Sequence, residues 1–488
     1  GRVGGVRGMS ERGVSGYGGG RGGSEGCAMG VGSACARMLG RADFGLMAMM
    51  MGCTGCAGLL MDVGLGSGLV QKKDVQEIHY NTVFWTNLGL GVGLWALVSS
   101  LSPSIAEFYG REELTDLGLV LSLQFILGAL GLVPRQRLVK DLSFQVTAVA
   151  DLLGMIIAGT AAVYMVREGY GYWGLAWQPV ILRFVATCYV WGAARWIPAI
   201  AFSGEALKEL FGFSFYVFAT RVIRFATMKA DKLLAGKYIG GDAAGLLDKA
   251  QSMMLFPLQN VSHTVGSVMF PALRLIQSDI KRIRKVYMRS TQAIALLTFP
   301  MMAGIFAVAD NFVFGVLGEQ WAELVPLLQV LCLAGVARSI VTVTGSVYLA
   351  LGRAKLQFKV NLLTRPIALS GVIVGLPWGV EGIVIGMTTA TWINSLITLS
   401  IAGRLINLSL LELMLSFSRT LAAAVLMAIG IVLLDPVLYG VGPLGSFGIQ
   451  VLAGGALYVL FAFALRIKAL TDVLDILKSQ FAKRRSNV

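Results

Sequence analysis

Apolar runs of roughly membrane-crossing length dominate this chain, and short polar connectors separate them. Thirteen are clear, at approximately 45–70, 80–104, 114–134, 143–166, 171–193, 209–235, 243–273, 291–317, 321–350, 358–378, 380–402, 418–435 and 443–465. Each is near the ~20 residues that cross a ~30 Å hydrocarbon core, and the longer ones can tilt or extend beyond it. Backbone groups in hydrocarbon must be satisfied within their own segment, so these runs predict helices. Residues 1–36 break the pattern. They are Gly-rich, with Arg12, Arg21 and Glu25 interspersed, and read as neither a signal peptide nor an ordinary span. The parity of later crossings still requires one here, so a degenerate first helix is expected at about 14–36, with Met9 as an alternative start. The expected fold is all-α and polytopic, with about fourteen transmembrane helices. They would form two six-helix lobes around a central cavity, plus two extra C-terminal helices.

A short internal echo supports this division. Leu39-Gly40-Arg41-Ala42-Asp43-Phe44-Gly45 resembles Ile239-Gly240-Gly241-Asp242-Ala243-Ala244-Gly245 at an offset of 200 residues. Both segments precede a long Met-rich helix, and six crossings return the chain to its starting side, as parallel transporter repeats require. The expected parts are a Gly-rich N-terminus (1–36), an N-terminal lobe (37–208) and a C-terminal lobe (209–402). Two further helices (403–465) and a basic tail (466–488) complete the chain. The tail pairs Leu470, Val473, Leu474 and Leu477 with Lys478, Lys483, Arg484 and Arg485, and reads as an interfacial basic helix.

Charge then orients the spans. One series of connectors is basic: Lys72/Lys73, Arg135/Arg137/Lys140, Arg195/Lys208, Arg274 through Arg289, Arg353/Lys355/Lys359, Arg404/Arg419 and the tail from Arg466 to Arg485. The alternate connectors hold only Arg37, Arg41, Arg111, Arg167 and Lys237. Positive loops stay in the cytoplasm, so both termini are expected there. The net charge of +14 is therefore mostly an orientation signal that also meets anionic lipid headgroups. RNP-like aromatic motifs and zinc-finger spacings are absent, and no nucleic-acid partner is expected. Cys53 and Cys56 form half of a metal or redox motif inside an apolar run, while His79 and His263 stand alone. No metal or cofactor is expected.

The charges left inside spans carry the functional argument. An ionisable group near the bilayer centre costs about 2.5–3.5 kcal/mol on insertion scales, so it needs a partner or a wet cavity. The span 209–235 holds Arg221, Arg224, Lys229, Asp231 and Lys232. At 100° per residue, Arg224 lies about 60° from Arg221 and Lys232 about 20° from it, with Arg221 roughly 18 Å from the helix start. Lys249, Arg338 and Arg365 add further cations. Arg221, Arg224, Lys232, Arg338 and Arg365 are the expected substrate-binding set. Asp62, Asp151 and Asp231 are read as charge pairing or ion coupling, with Arg183 able to close a compensated set with Asp62 and Asp151. Arginine offers a planar fork that matches phosphate oxygens, so a phosphate-bearing cargo fits this surplus. No Gly-rich loop ending in Lys-Ser/Thr occurs, so nucleotide hydrolysis is not expected, nor any catalytic activity. Pro257, Pro271, Pro300, Pro326 and Pro366 mark expected helix kinks.

Several motifs now combine. They are Leu39-Gly40 to Gly45, Asp62-Val63-Gly64-Leu65-Gly66-Ser67-Gly68-Leu69-Val70-Gln71, Asp231 to Gly236 and Asp248-Lys249-Ala250. Phe270-Pro271-Ala272-Leu273, Phe299-Pro300, Gly318-Glu319-Gln320-Trp321 and Leu349-Ala350-Leu351-Gly352-Arg353 follow. Together they resemble the bacterial polysaccharide transporter family of the multidrug/oligosaccharidyl-lipid/polysaccharide exporter superfamily. The resemblance implies a two-lobe inverted-V flippase with a cationic central cavity. Its implied cargo is an undecaprenyl-pyrophosphate-linked oligosaccharide for O-antigen, capsule or exopolysaccharide, carried between leaflets by alternating access. A polysaccharide polymerase and glycosyltransferases would be its partners. The chain departs from the family in its first helix and lacks tyrosines common near Leu246 and Leu247.

Two other functions compete. A cation-coupled multidrug exporter of the same superfamily would favour acidic and aromatic cavity residues, whereas the surplus here is basic. A membrane-bound polymerase or glycosyltransferase would carry large outer loops with catalytic acids, whereas these outer loops are mostly short.

Overall fold

The computed structural model describes residues 30–61, 65, 69, 75–141, 143–209, 231–438, 440–467 and 470. Every regular element among them is helical. In chain order these are α1 (residues 30–38), α2 (Arg41–Met61), α3 (Glu77–Tyr109), α4 (Glu113–Lys140), α5 (Phe144–Arg167) and α6 (Trp173–Ala194). Next come α7 (residues 231–238), α8 (Gly241–Leu275), α9 (Ile280–Phe312), α10 (Leu324–Val341) and α11 (Thr344–Ala350). The last four are α12 (Ala354–Gly375), α13 (Gly379–Leu405), α14 (Leu410–Leu434) and α15 (Pro443–Ala464). The chain is all-α and polytopic, and its helices follow the fourteen-helix plan. Eight helical stretches among the described residues are long and apolar enough to cross a membrane. The degenerate first span is represented by α1, and the span at 209–235 by α7 at its far end. Arg221 and Arg224 lie outside the described residues, as do Asp62 and most of the tail.

Helix ends follow local chemistry. Gly110 ends α3 in the left-handed region (φ 66°) and donates its N–H to Ala106 and Glu107 carbonyls, a conformation that favours glycine. Asp279 and Ser409 cap α9 and α14 by accepting from the Arg282 and Glu412 N–H groups at 3.0 and 3.1 Å. Pro257, Pro271, Pro300 and Pro366 all sit inside continuous helices, while Pro326 lies in the first turn of α10, where its missing N–H costs little. The run 321–350 is instead divided between α10 and α11 by a turn at Thr342–Val343, with no proline there.

The chain divides into two compact units, Gly1–Gly245 and Leu246–Val488. The first buries a cluster that includes Met49, Met50, Leu114, Leu117, Leu121 and Phe125. The second has its own, around Tyr287, Ile294, Phe299, Val343 and Phe417. Its outer surface is apolar as well: Leu411, Leu415, Leu433 and Leu452 are all exposed, the distribution of a lipid-facing helix layer. Small residues set the closest approaches. A Cβ on Gly371 would strike the Gly386 carbonyl and one on Gly386 the Gly371 carbonyl, so α12 and α13 pack backbone to backbone.

The two echo segments meet each other inside the first unit. A Cβ on Gly45 would land on the Gly241 carbonyl, and one on Gly245 would come within 2.6 Å of the Arg41 carbonyl. Under the 200-residue offset, position 41 corresponds to 241 and position 45 to 245. The contact is therefore reciprocal: each glycine faces the counterpart of its partner's neighbour.

Gly45→Ala forces the two backbones apart and is expected to destabilise the protein by about 2 kcal/mol or more. Gly89→Ala, where an added methyl meets open space, should be neutral or slightly stabilising. Thermal unfolding of the two purified variants checks this; equal midpoints would remove the crossing as a constraint.

Candidate functional site

Charged side chains in the first unit concentrate at one end of α3–α6. Arg135 on α4 donates through both terminal nitrogens to Asp151 on α5, at 2.8 and 2.5 Å. A two-pronged pair of this kind neutralises both partners and fixes their geometry. Asp151 is thus a charge-pairing residue, but its partner is Arg135 rather than Arg183. Arg183 on α6 is electrostatically coupled to both, and among the described residues it has no hydrogen bond or ion pair.

A second network holds the connector after α6. Arg137 donates to both carboxylate oxygens of Glu77 at 2.7 and 2.8 Å, and the Trp196 indole N–H donates to the same carboxylate at 3.1 Å. The Arg137 guanidinium also lies 4.7 Å from the Tyr80 ring centre and 5.6 Å from that of Trp196. Phe84 stacks edge-on against Trp85, Trp191 and Trp196. His79 accepts the Gln76 N–H on Nδ1 at 3.2 Å, so its proton resides on Nε2, 3.3 Å from Glu209 Oε2. The opposite ends of the same helices are acidic. Burial and then the charges of Glu113, Asp116 and Asp43 raise the Tyr172 phenol above its ordinary pKa.

The predicted site residues fall in different places. Asp231 and Lys232 are both buried on α7 of the first unit, where the Lys232 backbone N–H donates to Asp231 Oδ1 at 2.9 Å. Arg338 on α10 and Arg365 on α12 are half-buried in the second unit, each with an interaction partner. Lys249 is buried and its ammonium lies 5.8 Å from the Trp321 ring centre, a cation–π contact that the motif Gly318 to Trp321 supplies. The second unit also has an apolar cleft of about 430 Å³ between α9, α10 and α14, lined by Phe299, Met302, Phe306, Leu333, Val336 and Val425 among others. Among the described residues no group of three or more His, Cys, Asp or Glu is placed to hold a metal. Sequence reasoning missed the Glu77–Arg137–Trp196 network, because Arg137 had been accounted for as a topological charge. A tryptophan beside Arg195 in an otherwise short connector was the available signal.

Comparison with known proteins fits these helices into a family. A family model described as polysaccharide biosynthesis protein matches residues 34–326. The chain belongs to that family. Its relatives include the teichuronic acid biosynthesis protein TuaB of Bacillus subtilis (strain 168), 31% identical over 62% of this chain and 63% of that protein. The chain thus aligns with a little under two thirds of that relative's length. The lipopolysaccharide biosynthesis protein WzxC of Escherichia coli (strain K12) is 26% identical over 82% of this chain and 83% of its own. Among solved structures, the lipid II flippase MurJ in an inward closed conformation superposes with a TM-score of 0.72 at 15% identity, covering 90% of this chain and 97% of that one. An inward-facing multidrug resistance transporter of the MATE family gives 0.61 at 13% identity, covering 77% and 94%. At these identities the two structures establish a shared fold.

For this family member, Glu77→Ala and Arg137→Ala should each lower stability, and the double variant should lose less than their sum. Glu77 is 62% exposed, so the coupling is expected at only about 0.5–1 kcal/mol. A double-mutant cycle in thermal unfolding reads it directly; strict additivity would mean that the bidentate pair is not formed.

Proposed function

We propose that the protein is a flippase for undecaprenyl-pyrophosphate-linked oligosaccharides, serving surface polysaccharide biosynthesis. It works by alternating access in the bacterial inner membrane, with both termini in the cytoplasm and no catalytic step of its own. Family membership is the observation that carries this reading. Relatives named for teichuronic acid and lipopolysaccharide differ in sugar, so the common requirement is a lipid-linked unit crossing a bilayer. The fold shared with the lipid II flippase MurJ is compatible with it. The cationic positions inside apolar spans give it a chemical basis. Arg338 and Arg365 in the second unit, Lys232 in the first, and Arg221 and Arg224 outside the described residues are the proposed substrate-binding residues, with Asp231 balancing charge on α7. The lobes 37–208 and 209–402 would be the moving parts. A polymerase and glycosyltransferases acting on the same lipid-linked unit are the proposed partners.

A cation-coupled drug exporter remains the second reading, because the fold is shared with a multidrug transporter. Its cargo would call for acidic cavity residues, and the basic surplus in these spans speaks against it.

Charge reversal of Arg221 and Arg224 to Glu should abolish surface polysaccharide while protein level stays at wild type. Normal polysaccharide in that variant would sink the assignment. Loss of the protein should leave lipid-linked units on the inner leaflet, measured by their inaccessibility to external periodate; units found outside would point to another role. A phosphatase reporter fused after Lys285 should be silent and a cytoplasmic reporter there active, the reverse overturning the topology.

A further inference from the structure

We propose that Arg183, backed by Arg135, is a phosphate-anion site in the first unit, reached from the end of α6 that carries Arg195. Helix geometry sets its direction. At 100° per residue, Arg183 lies within about 20° of Ala176 and Val190 and about 60° from Val180 and Ala186. All four of those residues are buried, so Arg183 stands in the middle of the packed face of α6. It is nevertheless exposed. The long side chain therefore reaches past that face to the surface of the unit.

The neighbours fix the direction in which it leaves α6. Thr187 Oγ1 donates to the Leu127 carbonyl at 3.0 Å and Trp191 Nε1 to the Leu130 carbonyl at 2.9 Å, which fixes the side of α6 that meets α4. On the other side, a Cβ on Gly154 of α5 would meet the Leu182 carbonyl and the Ala186 methyl. On the helical wheel Arg183 falls between these two sets, about 40° from Thr187 and 60° from Ala186. It therefore points between α4 and α5, where Arg135 and Asp151 bridge the gap. Arg183 is eleven residues, or ~16 Å, from the end of α6, and Asp151 is seven residues, or ~10 Å, from the start of α5. The cluster lies inside the membrane depth.

Asp151 gives both oxygens to Arg135, which leaves neither of them to Arg183. Arg183 is the member with no hydrogen-bond partner among the described residues. A guanidinium with five free donors at this depth is stabilised by an anion with several oxygens, and a phosphate ester fits that fork. Two phosphates are at hand: the pyrophosphate of the proposed cargo and the headgroup of an anionic bilayer lipid. Assignment to the cargo rests on the flippase reading, but the existence of the site does not.

The purified protein in neutral detergent separates these cases by binding measured with native mass spectrometry, using undecaprenyl pyrophosphate and phosphatidylglycerol as separate probes. Arg183→Gln removes the charge, Arg183→Lys keeps the charge without the fork, and Arg167→Gln serves as the control at the opposite end of α5. Undecaprenyl pyrophosphate should bind the wild type and the Arg167→Gln protein alike. Affinity should fall about tenfold or more in Arg183→Gln and less in Arg183→Lys, as loss of a charged hydrogen bond predicts. Arg183-dependent binding of phosphatidylglycerol, with no binding of the pyrophosphate, would keep the anion site and remove the flippase cargo from it. Unchanged affinity for both probes in both Arg183 variants would overturn the site. If Arg183→Gln does not fold, Arg183→Lys alone decides: wild-type affinity there overturns the fork.

Discussion

The contact between Gly45, Gly241 and Gly245 is the constraint on which the first unit turns. Two helix starts approach until a carbonyl of one occupies the place of a side chain on the other. Hydrocarbon gives helices no hydrophobic reason to associate, so close backbone contact and dispersion must hold them together. That contact fixes the start of α2 against residues 241–245, the part of α8 that belongs to the first unit. Around it, Leu233 fills the space over Gly52, and Met49 packs on Gly236 and Gly241. The Met-rich composition of α2 follows: flexible thioethers conform to a crossing whose geometry the glycines have already set.

Charge is the second constraint, and the molecule meets it in different ways in the two units. Arg135 is satisfied by a carboxylate on the next helix, and Lys249 faces an aromatic ring. Arg137 uses both, with Glu77 as acid and Tyr80 and Trp196 as rings. These three cations are thus held by ordinary structure, whereas Arg183 has no hydrogen bond or ion pair among the described residues. The same subtraction applies to the whole chain: most of its +14 orients loops.

The helical plan was legible because hydropathy acts on whole segments, although α9 begins eleven residues and α14 eight residues before the predicted runs, where polar and basic residues extend the helices out of the apolar stretch. The echo at 39–45 and 239–245 was legible as similarity but not as contact. Sequence reports which glycines recur, while only the fold shows that Gly45 and Gly241 touch. Pairings were the least legible. Asp151 had two arginines within plausible reach, Arg135 and Arg183, and the choice depends on how α6 lies between α4 and α5. Pro300 and Pro366 remove one hydrogen bond each, a local cost that packing against neighbouring helices absorbs.

The connector after α6 shows why loop charge alone is an incomplete guide to depth. Arg195 places this segment among the basic, water-facing loops. Yet the Ala199 N–H donates to Asn81 Oδ1 at 3.0 Å, its carbonyl accepts from Trp85 Nε1 at 2.9 Å, and the Ser203 N–H donates to Thr82 Oγ1 at 3.0 Å. Asn81 and Trp85 stand four and eight residues into α3, or ~6 and ~12 Å along it. The connector therefore runs beside a spanning helix instead of below its end. Irregular backbone is tolerated at such depth only when its polar groups are satisfied, and α3 supplies those partners. The side chains agree: Trp196 turns inward, whereas Ile197, Ile200 and Phe202 are 85%, 95% and 62% exposed. Water would penalise three such apolar groups on one short segment, and hydrocarbon would not. The segment thus packs along α3 with Trp196 turned in and three apolar side chains on its outer face, although it opens on the exposed Arg195.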